Sequence, residues 1–136
     1  MGMTLELSIA DRDAMLAHAR STAVEACGLL LGAGARVERA VPCANVAADP
    51  ARFFEIDPAA LIAAHRDARA GGPAVIGHYH SHPSGRARPS PRDAADAAPD
   101  GSLWIVIAGG RLTAWRAVEK GSLHGRFDPV DLTVTA

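Results

Sequence analysis

Aromatic side chains are scarce in this 136-residue sequence: two Trp, one Tyr and three Phe make 4% of it. The core is therefore expected to rest on small residues. Alanine dominates instead, with 29 residues against 29 for Leu, Ile, Val and Phe together. That large-apolar share, about 21%, lies just above the ~20% below which a highly charged chain stays disordered. Charge of one sign is also missing, since 14 Lys and Arg stand against 15 Asp and Glu for a net −1, so disorder is excluded. The same balance leaves no cationic excess to neutralise phosphates, which argues against a nucleic-acid partner. The two cysteines, Cys27 and Cys43, are too few for a disulfide scaffold and are expected as free thiols. No apolar run approaches 18 residues and Met1 to Leu7 carries no basic segment. No membrane partner is expected, and the expected address is cytoplasmic. The length suits one domain, 1–136.

Along the chain, Thr4 to Ser8 reads as a strand, and Asp11 followed by Met15, Leu16 and Ala19 as a helix ending near Ser21. Gly28 to Gly32 is a short apolar run between glycines, a buried strand, hairpinned through Gly32 to Ala35 to a second at Arg36 to Val41. Arg52 to Ile56 reads as a short third strand. Asp57-Pro58 opens a helix over Ala59 to Ala70, with Leu61, Ile62, Ala64 and His65 marking one face, and Gly71-Gly72-Pro73 stops it. Ala74 to His82 is a β-run ended by Pro83. A polar loop over Ser84 to Pro89, a short helix from Ser90, a hairpin of Leu103 to Ile107 with Leu112 to Val118, and a last strand at Val130 to Val134 follow. The sum is a mixed α/β sheet packed by about two main helices.

His80-Ser81-His82 places two imidazoles on one strand face, with Cα atoms about 6–7 Å apart. Zinc needs their nitrogens within roughly 3–3.5 Å of each other, which rotamers at this separation allow. Taken alone, His-x-His also suits a histidine pair at the surface or core edge. Seven residues separate His82 from Ser90-Pro91-Arg92-Asp93, whose carboxylate can return on a helix to complete a His, His, Asp set. Three protein ligands leave one coordination position open, the catalytic rather than structural pattern. The same four residues are equally an ordinary N-cap with Pro at the first helical position. Glu25 stands just before the Gly28 strand, whose sheet partner is expected to be the His80 strand. A carboxylate there is a candidate base, although spacing alone reads it as a solvated residue.

Together, Glu25, His80-Ser81-His82-Pro83, Ser90 and Asp93 resemble the JAMM signature of the MPN+ zinc metalloprotease family. That pattern is a distant Glu, His-x-His, seven residues, Ser, two residues and Asp. The stretch from Glu25 to Gly32 also resembles the family's segment around its Glu. The resemblance implies an α+β, JAB1/MPN (cytidine-deaminase-like) architecture: a mixed, partly curled sheet flanked by two main helices, with a short helix after the His-x-His strand. It implies that His80, His82 and Asp93 hold Zn2+. Glu25 would take a proton from water at the open position and return it to the leaving amine, and Ser90 would support the oxyanion. The implied substrate is a ubiquitin-like or sulfur-carrier protein, cleaved after its C-terminal Gly-Gly at an isopeptide or peptide bond.

Nine residues between Asp93 and Leu103 leave little room for the substrate-gripping insert of eukaryotic deubiquitinating relatives, so the chain resembles the compact prokaryotic branch. A strand edge near the zinc is then expected to hold the tail by β-augmentation. The chief alternative is a non-catalytic MPN-type interaction module. A cupin would need a Glu where Gly85 and Arg86 stand, and a zinc deaminase a Pro-Cys-x-x-Cys that Cys43 does not provide. His78 shares the face of His80 and His82; a pairing with His80 is geometrically open, but a packed or supporting role is expected. Cys27 reads as a buried small apolar residue rather than a nucleophile. His18, His65 and His124 are expected to face solvent, and Trp104 and Trp115 to pack in the late hairpin.

Overall fold

Leu5 and Leu7 alternate with polar neighbours and are buried, which makes Thr4–Ser8 the half-buried strand β1. Ser8 then caps helix α1 (Ile9–Arg20), its hydroxyl accepting from the Asp11 N–H at 3.0 Å. Met15 is buried, with Leu16 and Ala19 packed against the same core. The computed structural model describes residues 3–83 and 85–136. Met1, Gly2 and Ser84 lie outside the described residues, so the loop expected from Ser84 is described from Gly85 onward.

The hairpin of β2 (Cys27–Ala33) and β3 (Arg36–Cys43) turns at Gly34, whose φ of 58° suits glycine. Helix α2 (Pro58–Arg69) starts as expected, with Asp57 accepting from the Ala59 N–H and Pro58 in the first turn. Its inner face differs from the expected one. Leu61, Ala64 and Ala68 are half-buried, while Ile62 is 56% exposed and His65 is exposed. One residue beside Leu61 is about 100° further round the helix, which is enough to turn Ile62 outward.

The expected strand over Arg52 to Ile56 is absent. That segment is loop, with a single bridge from Ile56 to Asn45. Asn45 explains the loop: its side-chain N–H groups donate to the carbonyls of Glu25, Pro50 and Phe53, and its Oδ1 accepts from Ala47 and Glu55. A side chain thus meets the backbone groups that a ladder would otherwise pair.

Strand β4 (Ala74–Ser81) precedes α3 (Pro91–Asp96), β5 (Leu103–Ala108), β6 (Arg111–Gly121) and β7 (Gly125–Thr135), the last longer than expected. The strands close into a barrel in the order β1-β3-β2-β4-β5-β6-β7, further than the partial curl expected from sequence. Closure comes from β1, which lies parallel to β7 over Thr4 to Ser8 and meets β3 at Glu6–Arg36. β4 runs antiparallel to β2 and parallel to β5. Both its edges are therefore occupied, so a strand edge that holds a tail near His80 would not be one of β4.

Alternation along β4 separates two clusters. Tyr79 packs with Leu5, Met15, Leu30 and Ile105 on one face, and a Cβ at Gly28 would run into its ring. His78 and His80 lie on the other, near Trp104, which packs with Ala117 and Phe127 and with half-buried Phe54.

Candidate metal centre and active-site cleft

Because the strand period is two, His80 and His82 share a face at the end of β4. Their Nε2 atoms lie 3.0 Å apart, and Asp93 Oδ2 is 3.2 Å from each. His80 is fully buried, its ring stacked on Phe54 at 4.2 Å and 17°. His82 Nδ1 donates to the Arg86 carbonyl at 2.8 Å, which turns Nε2 toward His80 and Asp93, where it donates to Asp93 when the ring is protonated and offers a lone pair to an ion when the ring is neutral. Three donors, two nitrogens and one carboxylate oxygen, therefore converge with the spacing that bonds of about 2.0–2.2 Å to one tetrahedral ion require. The donor set fits zinc.

Asp93 arrives through the start of α3. Ser90 Oγ accepts from the Asp93 N–H at 3.0 Å, and Asp93 Oδ2 accepts from the Ser90 N–H at 2.9 Å. This is a reciprocal capping box. The two readings of Ser90-x-x-Asp93, helix cap and donor set, are thus one structure. Burial works to raise the Asp93 carboxyl, but hydrogen bonds from His80, His82 and the Ser90 N–H outweigh it and hold the group well below the carboxylate range. Burial lowers His80, whereas the Asp93 and Arg86 partners overcome burial and raise His82.

Glu25 precedes β2, and the register of Cys27 opposite His80 carries it to the end of β4. Ser81 fixes that alignment: its Oγ accepts from the Ala26 N–H at 2.8 Å and its own N–H donates to the Ala26 carbonyl at 2.9 Å. Asn45 Nδ2 holds the Glu25 carbonyl at 2.9 Å. A Glu25 carboxylate oxygen lies within 4.8 Å of the His80 and His82 nitrogens. The residue is 6% exposed, and burial, assisted by the charge of Asp93 and opposed by His82, pushes its carboxyl up to about 7. A group with that affinity can both take up and return a proton near neutrality. Glu25, His82, Ser90, Arg52 and His124 line an open cleft of about 440 Å³.

Three side chains pin the loop between His82 and Ser90 by its carbonyls. His82 holds Arg86, Thr113 Oγ1 donates to Ala87 at 2.6 Å, and His124 Nε2 reaches Pro89 at 3.1 Å. Trp115 Nε1 in turn donates to Thr113 Oγ1 at 2.8 Å. Sequence reasoning missed Thr113, Asn45 and Ser81, because each acts on a backbone group distant in sequence. His124 carried one signal: it directly precedes Gly125, and both take positive φ, 53° and 68°.

Several expectations change with this geometry. His124 is exposed but faces the cleft, and His18 is half-buried with Nδ1 2.7 Å from the Tyr79 hydroxyl, so neither simply faces solvent. His78 packs on Trp104 and Phe54, outside the donor trio, and burial lowers it to about 3. Cys27 is buried opposite Cys43, both thiols free, and burial lifts the Cys27 thiol to about 12. Trp104 and Trp115 face each other across β5 and β6.

The chain is 36% identical over 118 residues, 81% of its length and 85% of the relative's, to the desampylase of Haloferax volcanii. It is 44% identical over 71 residues to a probable TtuB-protein conjugate cleaving protease of Thermus thermophilus, covering 52% of this chain and 48% of that one. A solution structure from Desulfitobacterium hafniense superposes with a TM-score of 0.80 at 29% identity, covering 98% and 93% of the two chains. The crystal structure of a JAB1/MPN domain protein from Archaeoglobus fulgidus, at 18% identity, has the same fold with a TM-score of 0.57 over 97% and 98%. Residues 9–118 match the model of the prokaryotic homologs of the JAB domain, and the chain belongs to that family.

Proposed function

We propose that this chain is a zinc-dependent peptidase or isopeptidase that hydrolyses the bond after the C-terminal Gly-Gly of a ubiquitin-like or sulfur-carrier protein. The convergence of His80, His82 and Asp93 donors within 3.2 Å of one another, with Glu25 beside them in an open cleft, carries this reading. A relative named a desampylase and one named a probable TtuB-protein conjugate cleaving protease support the substrate class.

His80, His82 and Asp93 would hold the ion; Asp93 Oδ2 at 3.2 Å from each imidazole, against the wider 4.8 Å span that includes Glu25, supports Asp93 as the third ligand. When bound, zinc supplies Lewis-acid activation of water and of the scissile carbonyl. Glu25 takes the proton from the attacking water and returns it to the leaving amine, a role suited to an affinity near neutrality. The Ser90 hydroxyl accepts from the helix N–H and still has its own hydrogen to donate toward the developing oxyanion. Arg86, Ala87 and Pro89 carbonyls, each held by a side chain, keep His82 and Ser90 in register during turnover.

The test is an intact mass spectrum after incubating zinc-loaded protein with a ubiquitin-like domain ending in Gly-Gly and extended by a short peptide, with Glu25→Gln as control. Loss of the extension in the wild type alone is the expected result. No cleavage across several carrier domains would overturn the hydrolase and move the reading to a binding module.

A further inference from the structure

A Gly-Gly tail offers its enzyme little beyond backbone, so selectivity for one carrier has to come from contacts outside the cleft. With both edges of β4 occupied, a strand edge there cannot supply them. The surface next to the cleft is unusual in charge. Arg52, Arg86 and Arg88 line the cleft, and a second groove of about 420 Å³ shares Gly85, Arg86 and Arg88 with it and continues to Ala108, Gly109 and Arg111. All four arginines are exposed. Arg52 has Asp49 at 4.0 Å; among the described residues Arg86, Arg88 and Arg111 have no carboxylate in ion-pair range. Among the described residues that line the cleft and the groove, the one acidic side chain is Glu25, buried in the cleft itself. In a chain of net charge −1 this is a local excess of cations.

The groove is open at its far end. Gly109 stands in the β5–β6 turn with no heavy atom within 4 Å of where a Cβ would be. Guanidinium groups bind carboxylates through paired N–H donors. We propose that the groove of Arg86, Arg88 and Arg111 is the docking surface for an acidic face of the protein substrate, whose carboxylates flank the tail entering the cleft. This rests on the tail-directed hydrolysis proposed above. A protein occupant is favoured over nucleic acid because a few cations at the mouth of a hydrolytic cleft suit a small carboxylate cluster, while the whole chain, with pI about 6.6, lacks the positive excess of a phosphate binder.

Two fusions of one ubiquitin-like domain ending in Gly-Gly and followed by a fluorescent peptide test this. One carries surface Asp and Glu beside the tail; in the other these are Asn and Gln. Binding is measured with chelator present, so that nothing is cleaved, and kcat and KM with zinc. The acidic fusion should bind about tenfold tighter in about 50 mM NaCl, with the preference fading by about 500 mM, because such contacts are screened. Arg88→Gln with Arg111→Gln should abolish the preference and raise the KM of the acidic fusion to that of the neutral one, and the double Lys variant should restore most of the preference. A double Gln variant that keeps the wild-type preference would overturn the docking surface. So would tighter binding of a single-stranded RNA of about 20 nucleotides than of the acidic fusion. If the preference is present but neither fusion is cleaved, the docking surface stands and the hydrolase reading falls. If both fusions are cleaved without preference, the hydrolase reading stands and the docking surface falls.

Discussion

Glu25 sets the pH behaviour at the scale of single residues. Its carboxyl is raised from 4.5 to about 7 in the folded chain, so the folded state holds this proton more tightly than the unfolded one. Its contribution to stability is complete below about pH 4.5 and is lost as pH rises to about 7. In metal-free protein, Glu25→Gln should therefore gain stability over the wild type progressively between about pH 5 and 7 and level off above. Urea denaturation at a series of pH values checks this, and a pH-independent difference would contradict it. Asp93 has the opposite sign: its depressed carboxyl stabilises above the ordinary Asp range and loses that contribution as pH falls through and below it. With zinc, Glu25→Gln should retain the metal and lose turnover by about 10²-fold or more, read by metal analysis and the mass assay together.

At the scale of elements, the loops that frame the site are held by side chains rather than ladders. Asn45 makes five hydrogen bonds across the segment from Glu25 to Glu55. Asn45→Ala should destabilise by about 2–3 kcal/mol, since several half-buried backbone groups lose their partner, measured by chemical denaturation. Thr113→Val removes the donor to the Ala87 carbonyl and the acceptor of Trp115. Because Ala87 adjoins the Arg86 carbonyl that orients His82, zinc affinity should fall about three- to tenfold, less than for a residue touching a ligand; Thr113→Ser should restore it. Unchanged affinity with reduced stability would leave Thr113 a packing role only.

For the whole molecule, β4 joins both halves of the site: its neighbour β2 brings Glu25, and the crossover to parallel β5 contains α3 with Ser90 at its cap. Zinc held by His80 and His82 at the end of β4 and by Asp93 on α3 should tie the barrel to α3. At a metal concentration of about 1,000 times Kd, the linkage is worth about 4 kcal/mol, roughly 10–15 °C in Tm for a chain of this size. Chelation should lower Tm by that amount in the wild type and in Glu25→Gln. His82→Ala should show little change on chelation, because its donor set is incomplete. Calorimetry with and without chelator decides it.

Most strands and both main helices were legible because their signals are local: alternation at Leu5 and Leu7, Ser8 and Asp57 as caps, glycines at the turns. The spacing of His80, His82, Ser90 and Asp93 was legible for the same reason, since a strand's period of two and a capping box each act within a few residues. The Arg52 to Ile56 segment misled because Asn45, outside it, supplies the partners that decide its conformation. Barrel closure depends on β1 meeting β7 from opposite ends of the chain, and the covered edges of β4 depend on its pairing with β2 and β5, neither of which local periodicity encodes. Convergence of three donors within 3.2 Å, the burial that raises Glu25, and the meeting of Arg86 and Arg88 with Arg111 were likewise decided by tertiary packing, because each depends on distances between segments far apart in sequence.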